Sequence, residues 1–286
     1  MDRLTTTDGL QLHTRIWPVA DALGTVLIVH GLGEHIARYE PMAARLNARH
    51  WQVAGFDLRG HGRSQGRRGA VSDSESLLKD LAQVIDLVSQ TMPIKGGPAP
   101  LILLGHSMGG AIAARFAAEM LAEQPRPWQR PLQGLVLSSP AFDPGMRPWQ
   151  KLLLASVGRL APDLAVGNGL QPSWISRDPE VVNAYAQDPL VHNRITPRLV
   201  RFLLAASASV LQRAPHWRLP TLLLYAGSDR CVSPIGSRAF AAASAGNPAV
   251  VSREFAPLFH EIFNEPERNE VYKELETWLQ QRSAES

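Results

Sequence analysis

The chain has 286 residues, 45% of them hydrophobic and 19% charged, with 22 Gly and 22 Pro. It contains no low-complexity tract and no repeat of about 20–50 residues, which excludes disordered, collagen-like and solenoid architectures. At about 150 residues per domain the length accommodates one large α/β domain or two small ones. The formal charge is only +3, and the densest basic run, Arg59 to Arg68, is interleaved with glycine rather than aromatic residues, so nucleic acid is not an expected partner. A single cysteine, Cys231, cannot form an internal disulfide. With an acidic, apolar-poor N-terminus and no apolar run near the ~20 residues of a membrane span, the pattern predicts a cytoplasmic protein.

Leu10 to Trp17 alternates after the Asp8-Gly9 turn signal and predicts a hairpin strand. Thr25 to Val29, Gln52 to Phe56, Pro100 to Leu104, Gly134 to Leu137 and Pro220 to Tyr225 are short, nearly continuous apolar runs, the pattern of parallel strands covered on both faces. Helices are predicted between them. One has Pro41 in its first turn, and one follows Met108. Another is announced by a Ser72/Glu75 capping box ahead of Leu77, Leu78, Leu81, Val84, Ile85 and Val88. Beyond the strand-like Val250 to Phe255, a last helix runs from about Pro266 to Gln281. This alternation defines an α/β fold with a mostly parallel central sheet flanked by helices.

The alternation stops between residues 141 and 219. That stretch is rich in Pro, Trp and Leu, shows no convincing strand, and predicts a helical cap inserted into a core formed by residues 1–140 and 220–286. Nine Lys/Arg against five Asp/Glu give the insertion +4, and the remainder −1. Trp149, Leu152, Leu153, Leu154, Val157, Leu160 and Trp174 supply apolar surface for an acyl-chain pocket, for transient contact with an anionic membrane surface, or for packing on the core.

Leu101 to Leu104 runs into Gly105-His-Ser-Met-Gly-Gly110 and then an Ala-rich stretch. A strand, a tight turn and a helix arranged in this way are what a nucleophile elbow requires: Ser107 projects above the sheet, and small neighbours let helix and strand pass closely. A Gly-rich connecting turn or phosphate loop is the plainer alternative, but the Gly-Lys-Ser/Thr signature of the latter is missing. A serine hydroxyl needs a base and an acid to orient that base. Asp229 follows the strand ending at Tyr225, where sites collect in parallel sheets, and is preferred over Asp143, Asp188 or a helix-capping role. Among nine histidines, His260 alone lies between the last strand and the final helix, which gives the chain order Ser, Asp, His. His106 is expected to be structural, and His30, His35 and His61 to shape loops, since no convincing zinc spacing exists. The backbone N–H groups of Met108 and Leu32, the latter in His30-Gly-Leu-Gly-Glu-His35, are the expected oxyanion donors.

These segments, with Arg38-Tyr39, Phe56-Asp-Leu-Arg-Gly-His-Gly-Arg-Ser64, Gly227-Ser-Asp229 and His260-Glu261, make the chain resemble, over nearly its full length, the α/β-hydrolase fold serine hydrolases of the monoacylglycerol lipase and lysophospholipase-like group. The resemblance implies a Ser107, Asp229, His260 triad, an oxyanion hole at Leu32 and Met108, and Glu34 and Arg38 near the alcohol end of the substrate. It implies a small-molecule or lipid acyl ester as substrate, with no cofactor or metal. Some monoglyceride-cleaving relatives carry a second histidine three residues after the base, where this chain has Phe263, so a strict monoglyceride preference does not follow. An aminoacyl amide or thioester hydrolase with the same triad, and a non-catalytic ligand-binding scaffold, are the competing readings.

Overall fold

The structure is a computed structural model describing residues 2–92, 94, 99–146, 154, 156 and 158–284. The described strands are β1 (Arg3–Thr5), β2 (Gln11–Trp17), β3 (Gly24–Val29), β4 (Trp51–Phe56), β5 (Leu101–His106), β6 (Gly134–Ser138), β7 (Val166–Gly167), β8 (Arg194–Ile195), β9 (Thr221–Ala226) and β10 (Val250–Phe255). Eight of them form one sheet in the order β1-β2-β4-β3-β5-β6-β9-β10. β1 and β2 pair antiparallel, as does β2 with β4, and every other pairing in this sheet is parallel.

The continuous apolar runs have the expected cause. Leu27 and Val29 of β3, Leu103 of β5, Leu135 and Leu137 of β6 and Leu223 of β9 face one core layer. Val26, Ile28, Ile102, Leu104, Val136, Leu222 and Leu224 face the other. Successive side chains in a strand point to opposite faces, so a strand covered on both sides must be apolar at nearly every position. The second layer is closed by α1 (Glu40–Asn47) and by the helix Arg268–Ala284, and the first by α2 (Ser76–Thr91) and α3 (Met108–Ala118).

Two features differ from the sequence reading. α2 begins at Ser76 without the Ser72/Glu75 box: the Ser72 hydroxyl accepts from the buried Arg59 guanidinium at 2.7 Å, and the Glu75 N–H donates to Asp73 at 2.7 Å. Arg59 also forks onto Asp80 at 2.6 and 2.7 Å, so that hydroxyl serves the buried Arg59–Asp80 pair from its exposed side rather than a cap.

The second concerns residues 141–219. They contain α4 (Pro179–Gln187) and α5 (Pro197–Arg213), but also a two-residue antiparallel ladder, β7 with β8, too short to leave a period-2 signal. α5, whose first turn is capped by the Thr196 hydroxyl accepting from Leu199 N–H, is not part of an overlying cap by its packing. Leu199, Phe202, Leu203, Ala206 and Val210, together with Trp217 and Leu219, join the core layer that holds α3. An amphipathic helix looks the same in sequence whichever apolar surface it covers. The charge divides accordingly: residues 142–196 hold five basic and five acidic side chains, and residues 197–219 hold four basic and none acidic. The basic excess of the insertion therefore lies on a core-packed helix and the turn after it. After β9, α6 (Pro234–Ala243), opened by the Ser233 cap, and α7 (Arg268–Ala284) complete the chain. Among the described residues no helix is long and apolar enough to cross a membrane.

Candidate active site

Ser107 sits between β5 and α3 with φ +54° and ψ −120°, a left-handed backbone that costs energy for a residue with a side chain. Its backbone is held by three bonds. Its N–H donates to Ser138 O at 2.9 Å, and its carbonyl accepts from Ala111 N–H and Ala141 N–H at 3.1 and 2.9 Å. The surrounding glycines are required by space. A Cβ at Gly109 would collide with the carbonyl oxygens of Val29 and His30, and one at Gly105 would press on the Gly109 and Gly110 backbone. Met108 is the first residue of α3, so its N–H has no partner within the helix and lies at the helix's positive end, beside the serine.

Asp229 lies three residues past β9 and His260 five past β10, both at the C-terminal edge of the sheet where Ser107 emerges. One Asp229 oxygen accepts from the N–H groups of Cys231 and Val232 at 2.8 and 3.1 Å. The other accepts from His260 Nδ1 at 2.7 Å. A carboxylate only accepts, so the imidazole proton is placed on Nδ1, and Nε2 is left as the basic nitrogen. Burial works against the charged ring, but the adjacent Asp229, with Glu261 and Glu34, outweighs it and raises the His260 pKa above its usual 6.5. The rival acids are engaged elsewhere: Asp188 holds His35 Nε2 at 2.7 Å, and Asp143 accepts from Gly145 N–H at 2.9 Å.

The other histidines serve the loops. His106 Nδ1 donates to Ser138 O at 3.1 Å, and its ring lies 4.7 Å from that of His260; burial and the His260 charge push its pKa down to about 4. His30 donates from Nδ1 to Gly31 O and accepts at Nε2 from Leu58 N–H, which fixes it neutral and ties the loop after β3 to the loop after β4. Asp229, Cys231 and His260 bring three donor atoms within 4.8 Å of one another, yet they do not suit a metal. The carboxylate already accepts three hydrogen bonds, and burial beside Asp229 raises the thiol pKa, which keeps it protonated.

Ser107, His260, Leu32 and Glu34 line one cavity of about 520 Å³, roofed by Leu170, Pro172, Ile175 and Tyr185 of the insertion. Arg38 stands behind this wall. It donates to Glu34 at 2.6 Å and forks onto Glu261 at 2.7 and 2.8 Å, and Tyr185 covers its guanidinium at 4.8 Å. Glu34 in turn accepts from Gly31 N–H at 2.6 Å and from the Tyr39 hydroxyl at 2.8 Å. The structure thus makes Glu34 a brace for the loop that carries Leu32, and joins that loop through Arg38 to the residue after His260. Glu261 and Tyr39 were visible in sequence only as neighbours of their motifs; their partnership spans 223 residues in the case of Arg38 and Glu261, and has no local signal. Phe263 is buried and packs with its ring tilted against that of Tyr272, centroids 4.9 Å apart, behind the same wall. Of the apolar insertion residues, Trp149, Leu152, Leu153 and Val157 lie outside the described residues; Leu154 and Trp174 are half-buried, and Leu160 is 89% exposed.

A strained serine on a strand-to-helix elbow, an aspartate-bound histidine in the same cavity and a mostly parallel eight-stranded sheet define an α/β-hydrolase fold serine hydrolase, of the carboxylesterase type. The chain belongs to the family Hydrolase_4, described as "Serine aminopeptidase, S33", whose profile matches residues 20–267. It is 34% identical to the monoacylglycerol lipase of Mycolicibacterium smegmatis over 95% of this chain and 93% of that one. It is 32% identical to the monoglyceride lipase of Rattus norvegicus over 99% and 91%. Its structure resembles the crystal structure of Paleococcus ferrophilus monoacylglycerol lipase, with a TM-score of 0.81 at 31% identity, covering 95% of this chain and 99% of that one.

Proposed function

We propose that this enzyme hydrolyses the single acyl ester of a monoacyl glycerolipid, a monoacylglycerol or lysophospholipid, through an acyl-enzyme on Ser107. Ser107 Oγ attacks the ester carbonyl while His260 Nε2 takes its proton. Asp229 stabilises the imidazolium, and the N–H groups of Met108 and Leu32 receive the developing oxyanion. His260 then protonates the departing alcohol, and water, deprotonated by the same nitrogen, releases the fatty acid and restores the serine. The observation that carries this reading is the 2.7 Å bond from His260 Nδ1 to Asp229, in the cavity that also holds the strained Ser107. Similarity to lipases named for monoacylglycerol supports the substrate class.

An aminopeptidase needs a carboxylate with free acceptor capacity to receive a substrate amine. Glu34 and Glu261 already accept from Arg38, Gly31, Tyr39 and Asn264, so the ester reading is the stronger one. Exposed Leu160, Leu164 and Val166 support transient contact of the insertion with a membrane surface, and the single cysteine supports a cytoplasmic setting. The test is hydrolysis of p-nitrophenyl esters of graded chain length, then of monoacylglycerols and lysophospholipids, by the wild type and Ser107→Ala. The variant should keep the wild-type melting temperature and lose activity on every ester; near-wild-type turnover would remove Ser107 from the mechanism.

A further inference from the structure

The cavity wall carries charges of both signs. Beside His260, the carboxylates of Glu34 and Glu261 share the single cation Arg38. Asp188, also on the wall, is bonded to His35. The same wall carries Arg68 and Arg194 with Asn168 and Asn193. Arg68 is half-buried and donates to Gly60 O and Gly62 O of its own loop, at 3.3 and 2.9 Å. Among the described residues, neither Arg68 nor Arg194 is in an ion pair with a carboxylate, unlike Arg38, Arg59, Arg177 and Arg198.

Both arginines line the cavity that holds Ser107 and His260. Burial of His192 and the charges of Arg68, His30 and Arg194 push its pKa down to about 4, so its ring stays neutral near pH 7. The His192 N–H donates to Gly33 O at 2.9 Å, which sets this wall directly against the loop carrying Leu32. Two unpaired guanidinium groups with asparagine amides make a donor-rich surface, and planar N–H forks suit the oxygens of a phosphate. In a monoacyl lipid the anionic group is carried by the alcohol.

We infer that Arg68 and Arg194 form an anion subsite for a phosphate on the alcohol of the ester substrate, so that the enzyme favours monoacyl glycerophosphates over neutral monoacylglycerol. The inference rests on the ester-hydrolase reading above. The phosphate is recognised and left intact: water adds across the acyl ester, and a fatty acid and a glycerophosphate leave.

The test compares kcat/KM for 1-hexanoylglycerol 3-phosphate and 1-hexanoylglycerol, both below their micellar concentrations, in the wild type, Arg194→Gln and Arg68→Gln. The wild type should favour the phosphate ester by about tenfold or more, the effect of a charged hydrogen bond, and each variant should bring that ratio towards unity. Arg194 has an exposed side chain, so its variant stays informative if loss of Arg68 loosens the glycine loop. Equal wild-type kcat/KM for the two esters, or a ratio unmoved by Arg194→Gln, overturns the subsite. Inorganic phosphate and glycerol 3-phosphate serve as competitors: inhibition by both without any ester preference means a free-anion site and overturns the substrate assignment. Calorimetric binding of long-chain lysophosphatidate and monoacylglycerol to Ser107→Ala reads the subsite without turnover. Tighter binding of the phosphate lipid supports the subsite, and equal affinity overturns it. Absence of ester hydrolysis by the wild type beside tighter binding of the phosphate lipid would sink the enzymatic reading alone.

Discussion

Asp229→Asn is the sharpest perturbation of the proposed mechanism, because the structure dictates how the amide must sit. The carboxylate accepts three donors: Cys231 N–H and Val232 N–H at one oxygen, and His260 Nδ1 at the other. An amide has one acceptor oxygen. The two fixed backbone donors hold that oxygen, which turns the NH₂ group towards His260. Nδ1 must then accept, its proton moves to Nε2, and the imidazole presents a donor to Ser107 where the reaction needs an acceptor. Loss of the correct tautomer with geometry intact lowers kcat by about 10⁴ in a serine protease triad, or about 5 kcal/mol at 1.36 kcal/mol per decade. A second effect has a defined sign. Burial alone lowers the His260 pKa, and the Asp229 charge is the largest of the influences that raise it above 6.5. The neutral base is required, so the acid limb of kcat/KM should lie above pH 6.5 in the wild type and move to lower pH in the variant. Hydrolysis of p-nitrophenyl butyrate from pH 5 to 9, with thermal melts to confirm folding, measures both. Activity within tenfold of wild type, or an acid limb that does not move, refutes the assigned role of Asp229.

Glu261→Gln should also move the acid limb to lower pH, by less, since the Glu261 charge raises the His260 pKa but ranks below that of Asp229; a limb moved upward would contradict this electrostatic role. Gly109→Ala should destabilise the fold by at least about 1–3 kcal/mol in urea titrations, because the new methyl group meets two backbone carbonyls and can be accommodated only by pushing α3 off β3. Glu34 gives a stability signal in acid. Although burial opposes ionisation, the Arg38 charge and the Gly31 N–H hold its carboxyl down at about 2 against 4.5 in the unfolded chain. Its contribution is therefore complete above pH 4.5 and lost as the pH falls towards 2, so melting temperatures of Glu34→Gln should fall less steeply than those of wild type between pH 5 and 3. Parallel slopes would remove Glu34 from the acid response.

The parts of this molecule that sequence made legible are those with a local cause. Val26 and Ile28 face one layer while Leu27 and Val29 face the other, so burial on both sides writes an unbroken apolar run. Ser107 needs small neighbours because α3 passes against the carbonyls of Val29 and His30, so the elbow writes its own motif. The order of Asp229 and His260 after their strands follows from where parallel strands end. What stayed hidden depends on distant partners. The hydroxyl of Ser72 is a cap residue by pattern, but goes to Arg59, whose fork holds Asp80. The apolar face of α5 fits a cap or a core equally well, and only the sheet layer it meets decides.

The contacts between the insertion and the site loops give that distinction a mechanistic consequence. Glu261 N–H donates to Ile175 O, His192 N–H donates to Gly33 O, Asp188 holds His35, and Tyr185 lies over Arg38. All four come from residues 175–192, and each touches the loop bearing Leu32 or the segment bearing His260. The stretch with exposed Leu160, Leu164 and Val166 makes none of these contacts. The insertion therefore has a clamping portion whose displacement would disturb the proposed base and the proposed oxyanion donor together, and, among the described residues, an outer apolar portion that makes none of these contacts. Substitutions in the outer portion should alter how a substrate arrives, whereas those at 175–192 should alter turnover, because among the described residues of the insertion it is the latter that are bonded to the segments carrying Leu32 and His260.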